Sequence, residues 1–190
     1  QVIQLRNFLN NCINKQAMEG RHFYIFSYGS NMLLQRITER IEAAEVVGVH
    51  ELIGFRLIFN KKSKDGSTKA NIEETKDRNE SVWGVLHKID LKDKPTLDRF
   101  EGLGKGYMLI NFNHSVEDEY RTVHSYVATE YRYLEEGKPY DWYLNLVIAG
   151  AIENDFPEDY VNQLKAIKSE LDLDEGRRKK YEETLKRAKE

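Results

Sequence analysis

Val2, Leu5, Leu9, Cys12 and Ile13 recur at intervals of three and four residues, the spacing that gathers side chains on one stripe of a helix. They predict an amphipathic helix ending near Gly20. His22 to Tyr28 is a nearly continuous apolar and aromatic run stopped at Gly29, the pattern of a short strand buried on both faces. Leu33, Ile37 and Ile41 then fall at steps of four, so a second helix is expected directly after that strand and a very short turn.

Val46 to Val49 and Gly54 to Phe59 are rich in β-branched and aromatic residues and predict two strands around His50 to Ile53. Lys61 to Lys69 reads as a polar loop. Ala70 to Glu74 and Val82 to Ile89 predict two further strands, the second placing Trp83 beside Gly84, where a missing side chain permits close backbone approach. Pro95 suits the first turn of a short helix through Glu101, with Gly102 as its stop. Tyr107 to Phe112 and Thr122 to Ala128 predict strands joined by a charged hairpin. From Tyr140 the period is helical, with Trp142, Leu146, Ala149 and Ile152 on one face. Asp155 and Pro157 interrupt and restart it. Asp174 to Glu190 is dominated by charges, with Glu182/Lys186 and Glu183/Arg187 at the supporting spacing of four. Strands in the middle and helices at both ends read as α+β rather than alternating α/β.

At 190 residues, 40% hydrophobic and 32% charged, the chain suits one core and no disordered or disulfide-stapled class. Its 29 Lys and Arg against 32 Asp and Glu leave a net charge of −3, so no general attraction draws it to nucleic acid or anionic membrane. The longest apolar runs fall short of a membrane span. Gln1 to Asn11 lacks the pattern of a signal peptide. A single cysteine, Cys12, fits a reducing compartment, and the cytoplasm is the expected location. The five histidines lack paired ligand spacing, so no metal is assigned. Arg177 to Lys180 lies between acidic neighbours and reads as a solvated helical face.

Two segments carry candidate chemistry. In Tyr28-Gly29-Ser30-Asn31 a strand ends in small and polar residues just before a helix, which offers backbone N–H groups to an anion. Turn formation and helix capping would use the same residues. In Leu97-Asp98-Arg99-Phe100-Glu101-Gly102, Leu97 and Phe100 are expected to face the core, and Glu101 falls at the carboxyl end of the helix. Unpaired carbonyls there disfavour a second negative charge and would raise its pKa, which suits a general acid/base. Tyr28, Tyr107, Tyr126 and Tyr143 lie in or beside apolar segments where a rigid ring with a polar tip can wall a pocket.

Phe26 to Met32, Val82-Trp83-Gly84-Val85, Leu97 to Gly102 with Tyr107, and Gly150-Ala151 through Glu153-Asn154 to Pro157 resemble the γ-glutamylcyclotransferase family in order and interval. The likeness runs from about Phe23 to Ile167. It implies a small mixed β-barrel with flanking helices over 21–170, while the N-terminal amphipathic helix over 1–20 and the charged C-terminal helix over 171–190, both read from their own patterns, lie outside the likeness. It also implies the conversion of a γ-glutamyl amino acid or amine to 5-oxoproline and a free amine, without a cofactor. By carry-over Glu101 is the acid/base, Tyr28, Gly29, Ser30 and Asn31 bind the glutamyl end, and Tyr107, Tyr126 and Tyr143 match pocket tyrosines. Ser27 departs from the alanine common in that turn. Such chemistry suits the residues: the nucleophilic amine is tethered to its electrophile, so holding a folded conformer supplies an effective molarity of ~10⁵ M or more. Exposed stripes on the end helices are compatible with a homodimer. A metabolite-binding protein using the same cavity without turnover, and an RNA-binding accessory using Lys61 to Lys69 and the terminal basic run, are the competing readings.

Overall fold

The computed structural model describes residues 21–134 and 137–189. The helix expected before Gly20, with Cys12, lies outside them. The strand predicted from the apolar run is present as β1 (His22–Ser27), which leads through a single 3-10 turn (Ser30–Met32) into the short helix α1 (Leu34–Thr38). Then come β2 (Glu45–Ile53), β3 (Phe55–Lys62), β4 (Thr68–Glu74), β5 (Ser81–Asp90), α2 (Lys94–Glu101), β6 (Tyr107–Val116) and β7 (Glu119–Ala128). Three helices finish the chain, α3 (Asp141–Glu153), α4 (Glu158–Lys165) and α5 (Glu175–Arg187).

Five strands form one sheet in the order β2-β5-β1-β7-β6, and β3 with β4 forms a separate two-stranded ribbon. β1 is central, antiparallel to β5 and parallel to β7, which makes the sheet mixed. Its alternation serves both faces: Phe23 and Ile25 pack with Ile37, Ile41 and Leu97, while Tyr24, Phe26 and Tyr28 pack with Val85, Leu146 and Val147. A strand covered on both sides needs an apolar run, and the sequence supplies one. Gly84 lies opposite Phe26, where an added Cβ would come 2.3 Å from the phenyl ring, so the close approach expected beside Trp83 is realised.

Among the described residues the sheet is not closed by hydrogen bonds, so the expected barrel is an open, curled sheet with β2 and β6 as its edges. Side chains bridge the gap. His50 on β2 stacks on Phe112 and lies 3.9 Å, ring to ring, from His114, both on β6. Two further expectations change. His50 to Ile53 continues β2 along the edge of the sheet, and the reversal is a tight turn at Gly54, whose φ of +80° suits glycine. Phe100 does not face the core; its side chain is exposed at 56%, while Leu97 is fully buried.

Candidate active site

A cavity of about 270 Å³ opens where β1 ends, between the Tyr28–Asn31 turn, the ribbon, the carboxyl end of α2 and the first turn of α3. The segment that follows the turn, Met32 to Leu34, is held by the end of α3. Gly150 lets that helix come so near that an added Cβ would lie 2.5 Å from the Leu33 nitrogen. Glu153 accepts from the Leu34 amide at 2.8 Å, and Asn154 donates to the Met32 carbonyl at 3.1 Å. The Gly150-Ala151 to Glu153-Asn154 segment is therefore a clamp on the turn. Space is also tight at Gly29, where a Cβ would stand 3.0 Å from the Tyr143 hydroxyl and that side chain would have to give by a few tenths of an ångström.

Glu101 is the last residue of α2, and Gly102 terminates the helix in a left-handed conformation with φ of +75°. Its side chain is 15% exposed and points at the turn. Asn31 donates to Oε1 at 2.9 Å, and the Arg40 guanidinium, also 15% exposed, donates to the same oxygen at 2.5 Å. No donor among the described residues reaches Oε2, and Glu101 lines the cavity. The helix carbonyls considered from sequence are thus joined by two donors supplied from α1 and its flanks. Arg40 is the residue that sequence reasoning missed: it lies one turn after Arg36, and nothing local announces a partner across 61 positions.

All four tyrosines line the cavity. The Tyr28 hydroxyl donates to the Tyr126 carbonyl at 2.5 Å, and the Tyr126 hydroxyl donates to Asp98 at 2.5 Å, with Lys94 bound to the other Asp98 oxygen at 2.7 Å. This chain ties α2, and with it Glu101, to the end of β1 and to β7. Tyr126 and Tyr28 therefore spend their protons on the framework. Tyr143 is the reverse case. Its hydroxyl accepts from the Ala70 amide at 3.1 Å, so its own proton remains available to a ligand. Tyr107 makes a long contact of 3.4 Å to the Ala70 carbonyl, and the Lys61 ammonium sits 4.5 Å over its ring.

The phenols stay neutral. Burial pushes Tyr143 up to about 12, with the Glu101 charge adding to it and the amides of Ala70 and Ser30 opposing it. Burial raises Tyr28 and Tyr107 well above the ordinary range, reinforced by neighbouring phenols and by Glu101. Burial, then the Asp98 contact, raises Tyr126 as well. Lys61, Lys69, Arg36 and Arg40 line the cavity beside these neutral phenols, with Asp65 and Glu101 as its carboxylates. No group of three or more potential metal ligands occurs among the described residues. No described helix is long and apolar enough to cross a membrane.

Every site residue picked from sequence thus lies at one cavity, although Tyr126 and Tyr28 reach it as supports. Comparison with known proteins finds relatives of the chain as a whole. A family model described as the AIG2-like family matches residues 81–164. A mouse γ-glutamylcyclotransferase is 32% identical over 165 residues, spanning 83% of this chain and 85% of the relative. The human γ-glutamylcyclotransferase is also 32% identical, over 161 residues. A solved structure titled γ-glutamyl cyclotransferase superposes with a TM-score of 0.73 at 29% identity, covering 87% of this chain and 99% of that one.

Proposed function

The chain belongs to the γ-glutamylcyclotransferase family, a family of enzymes, and on that premise we propose that it cyclises γ-glutamyl amino acids or amines to 5-oxoproline with Glu101 as the proton carrier. The observation that carries the reading is the meeting of Glu101 with the turn: a carboxylate on the cavity wall, held on one oxygen by Asn31 and Arg40.

In this reading the Tyr28–Asn31 turn and the Tyr143 hydroxyl hold the glutamyl end, and the walls impose the folded conformer in which the α-amine approaches the γ-carbonyl. The α-ammonium first releases one proton to solvent, the neutral amine attacks, and Glu101 takes a second proton from that nitrogen as the new bond forms. A new C–N bond closes the five-membered ring and a negative oxygen develops on the former carbonyl. When the original amide bond breaks, Glu101 returns the proton to the departing nitrogen, so the free amine leaves neutral and the carboxylate is restored. One group can serve both steps because donor and acceptor nitrogens are bonded in turn to the same carbon. Proton transfer of this kind contributes ~10²–10⁴ in rate, and the tethered nucleophile supplies the rest through orientation.

The test is a panel of γ-glutamyl amino acids and amines incubated with the protein and read by mass for 5-oxoproline. Cyclised product from at least one member, in equal amount to released amine, is expected. No product across the panel at high protein concentration would reject the reading in favour of a cavity that binds without turnover.

A further inference from the structure

The cavity does not end at Glu101. A second recess of about 420 Å³ continues outward from it, between α1, α2 and α5, and shares Arg36, Arg40, Phe100 and Tyr181 with the first. We propose that this recess binds the leaving residue of the substrate and favours one whose side chain carries a second carboxylate. The proposal rests on the cyclotransferase reading above, since it takes its direction from the scissile bond.

Two observations carry it. The first is position. If Glu101 protonates the departing nitrogen, the leaving residue extends from Glu101 past the side chains beside it on the outer side, Arg40 and Phe100. Both belong to the recess. Phe100 is exposed there, on a two-turn helix of which Leu97 is the buried residue, and Arg40 lies 5.7 Å from its ring. The second is charge. Arg36, Arg40, Lys180 and Arg187 line the recess with Glu39 as the one acidic lining residue. Glu39 is committed to Arg187 at 2.5 Å and to Arg36 at 3.5 Å, and Arg40 to Glu101. Even after both carboxylates are set against the four cations, positive charge remains. Lys180 has no carboxylate within ion-pair reach among the described residues, and the Arg36 Nε is buried without an acceptor.

The wall that holds these cations is also ordered. Tyr181 stacks on Trp142 at 4.0 Å, and the Arg36 guanidinium lies 4.8 Å over the Tyr181 ring. An anionic group entering here meets Arg36 already held in place, with exposed Lys180 and Arg187 at the rim, and the held donor lowers the ordering cost of binding it.

The experiment compares γ-glutamyl-glutamate with γ-glutamyl-glutamine, which match in size and differ by one charge, with γ-glutamyl-alanine as reference. The kcat/KM ratio of the glutamate to the glutamine peptide is expected to be about tenfold, as for one partly screened charge pair. The ratio should fall toward one in 0.5 M salt and in Lys180→Glu. A ratio near or below one in the unaltered protein, or a tenfold ratio that survives Lys180→Glu, would overturn the assignment. Absence of cyclised product from all three peptides would instead remove the cyclotransferase reading, and the recess assignment with it.

Discussion

Glu101 gains its meaning from what touches it. A glutamate at a helix terminus is common on protein surfaces, but here one carboxylate oxygen receives both an amide and a guanidinium donor from a segment 60 to 70 positions away. Charge-assisted contacts of this kind fix the rotamer as well as the charge. The asymmetry is the useful part, because both donors fall on Oε1 and none among the described residues occupies Oε2. At this scale the sequence displayed the residue types without their couplings. Glu101 and the Tyr28–Asn31 turn could be named from local pattern and resemblance. Arg40 could not, since the spacing of Arg36 and Arg40 describes only one helix face. Phe100 was misassigned for a related reason: three residues from Leu97 is 300° of helical rotation, about 60° short of a full turn. On a helix packed along one side, that places the ring at the margin, which here is the cavity mouth.

At the scale of elements, the site depends on α3 pressing against the turn that follows β1. Gly150 makes this contact possible, and an added Cβ would meet main-chain atoms of Met32 and Leu33 at 2.5–2.7 Å. Backbone cannot swing aside as a long side chain can. Gly150→Ala is therefore expected to cost about 1–3 kcal/mol, as overpacking does, and to lower 5-oxoproline formation by shifting the turn away from Glu101. Urea unfolding midpoints and turnover, compared with the unaltered protein, check this; unchanged values of both would contradict the clamp. Most elements were legible because each keeps one periodicity, as β1 does with its apolar run and α3 with its repeating face. β2 was cut short because His50 and Glu51 look like loop residues. They are tolerated because β2 is an edge strand, paired only with β5. The ribbon and the sheet edges meet through contacts that local pattern does not encode.

For the whole molecule, one buried and one half-buried histidine set an acid limit. His87 on β5 has no exposed surface; its Nδ1 lies 3.3 Å from the Ser27 hydroxyl, and Nε2 has no partner. Burial pulls its pKa down to about 4. At the seam between the sheet edges, burial first and then His114 bring His50 to about 4 as well. A folded-state pKa below the unfolded value of ~6.5 means that the unfolded chain binds more protons in the intervening range. Stability from these groups is complete above about pH 6.5 and is lost as pH falls toward 4. His87 alone should cost about 2 kcal/mol between pH 7.5 and 5. Urea midpoints measured across that range should drop accordingly, and less steeply in His87→Leu. A flat profile in the unaltered protein would contradict the burial argument. The charged C-terminal segment also proves less solvated than its composition suggests. Trp142 donates to the buried Asp172 at 2.8 Å, and α5 supplies Tyr181 to the cavity wall.

The most direct test of the account is the turnover of Glu101→Gln, with substrate binding followed by calorimetry in parallel. The side chain keeps its size and an oxygen for Arg40 and Asn31, but loses the ability to carry a proton. The rate of 5-oxoproline formation at saturating substrate is expected to fall at least ~100-fold while affinity changes by no more than a few fold. A variant that retains a rate within about tenfold of the unaltered protein would contradict the assignment of the proton transfer to this carboxylate.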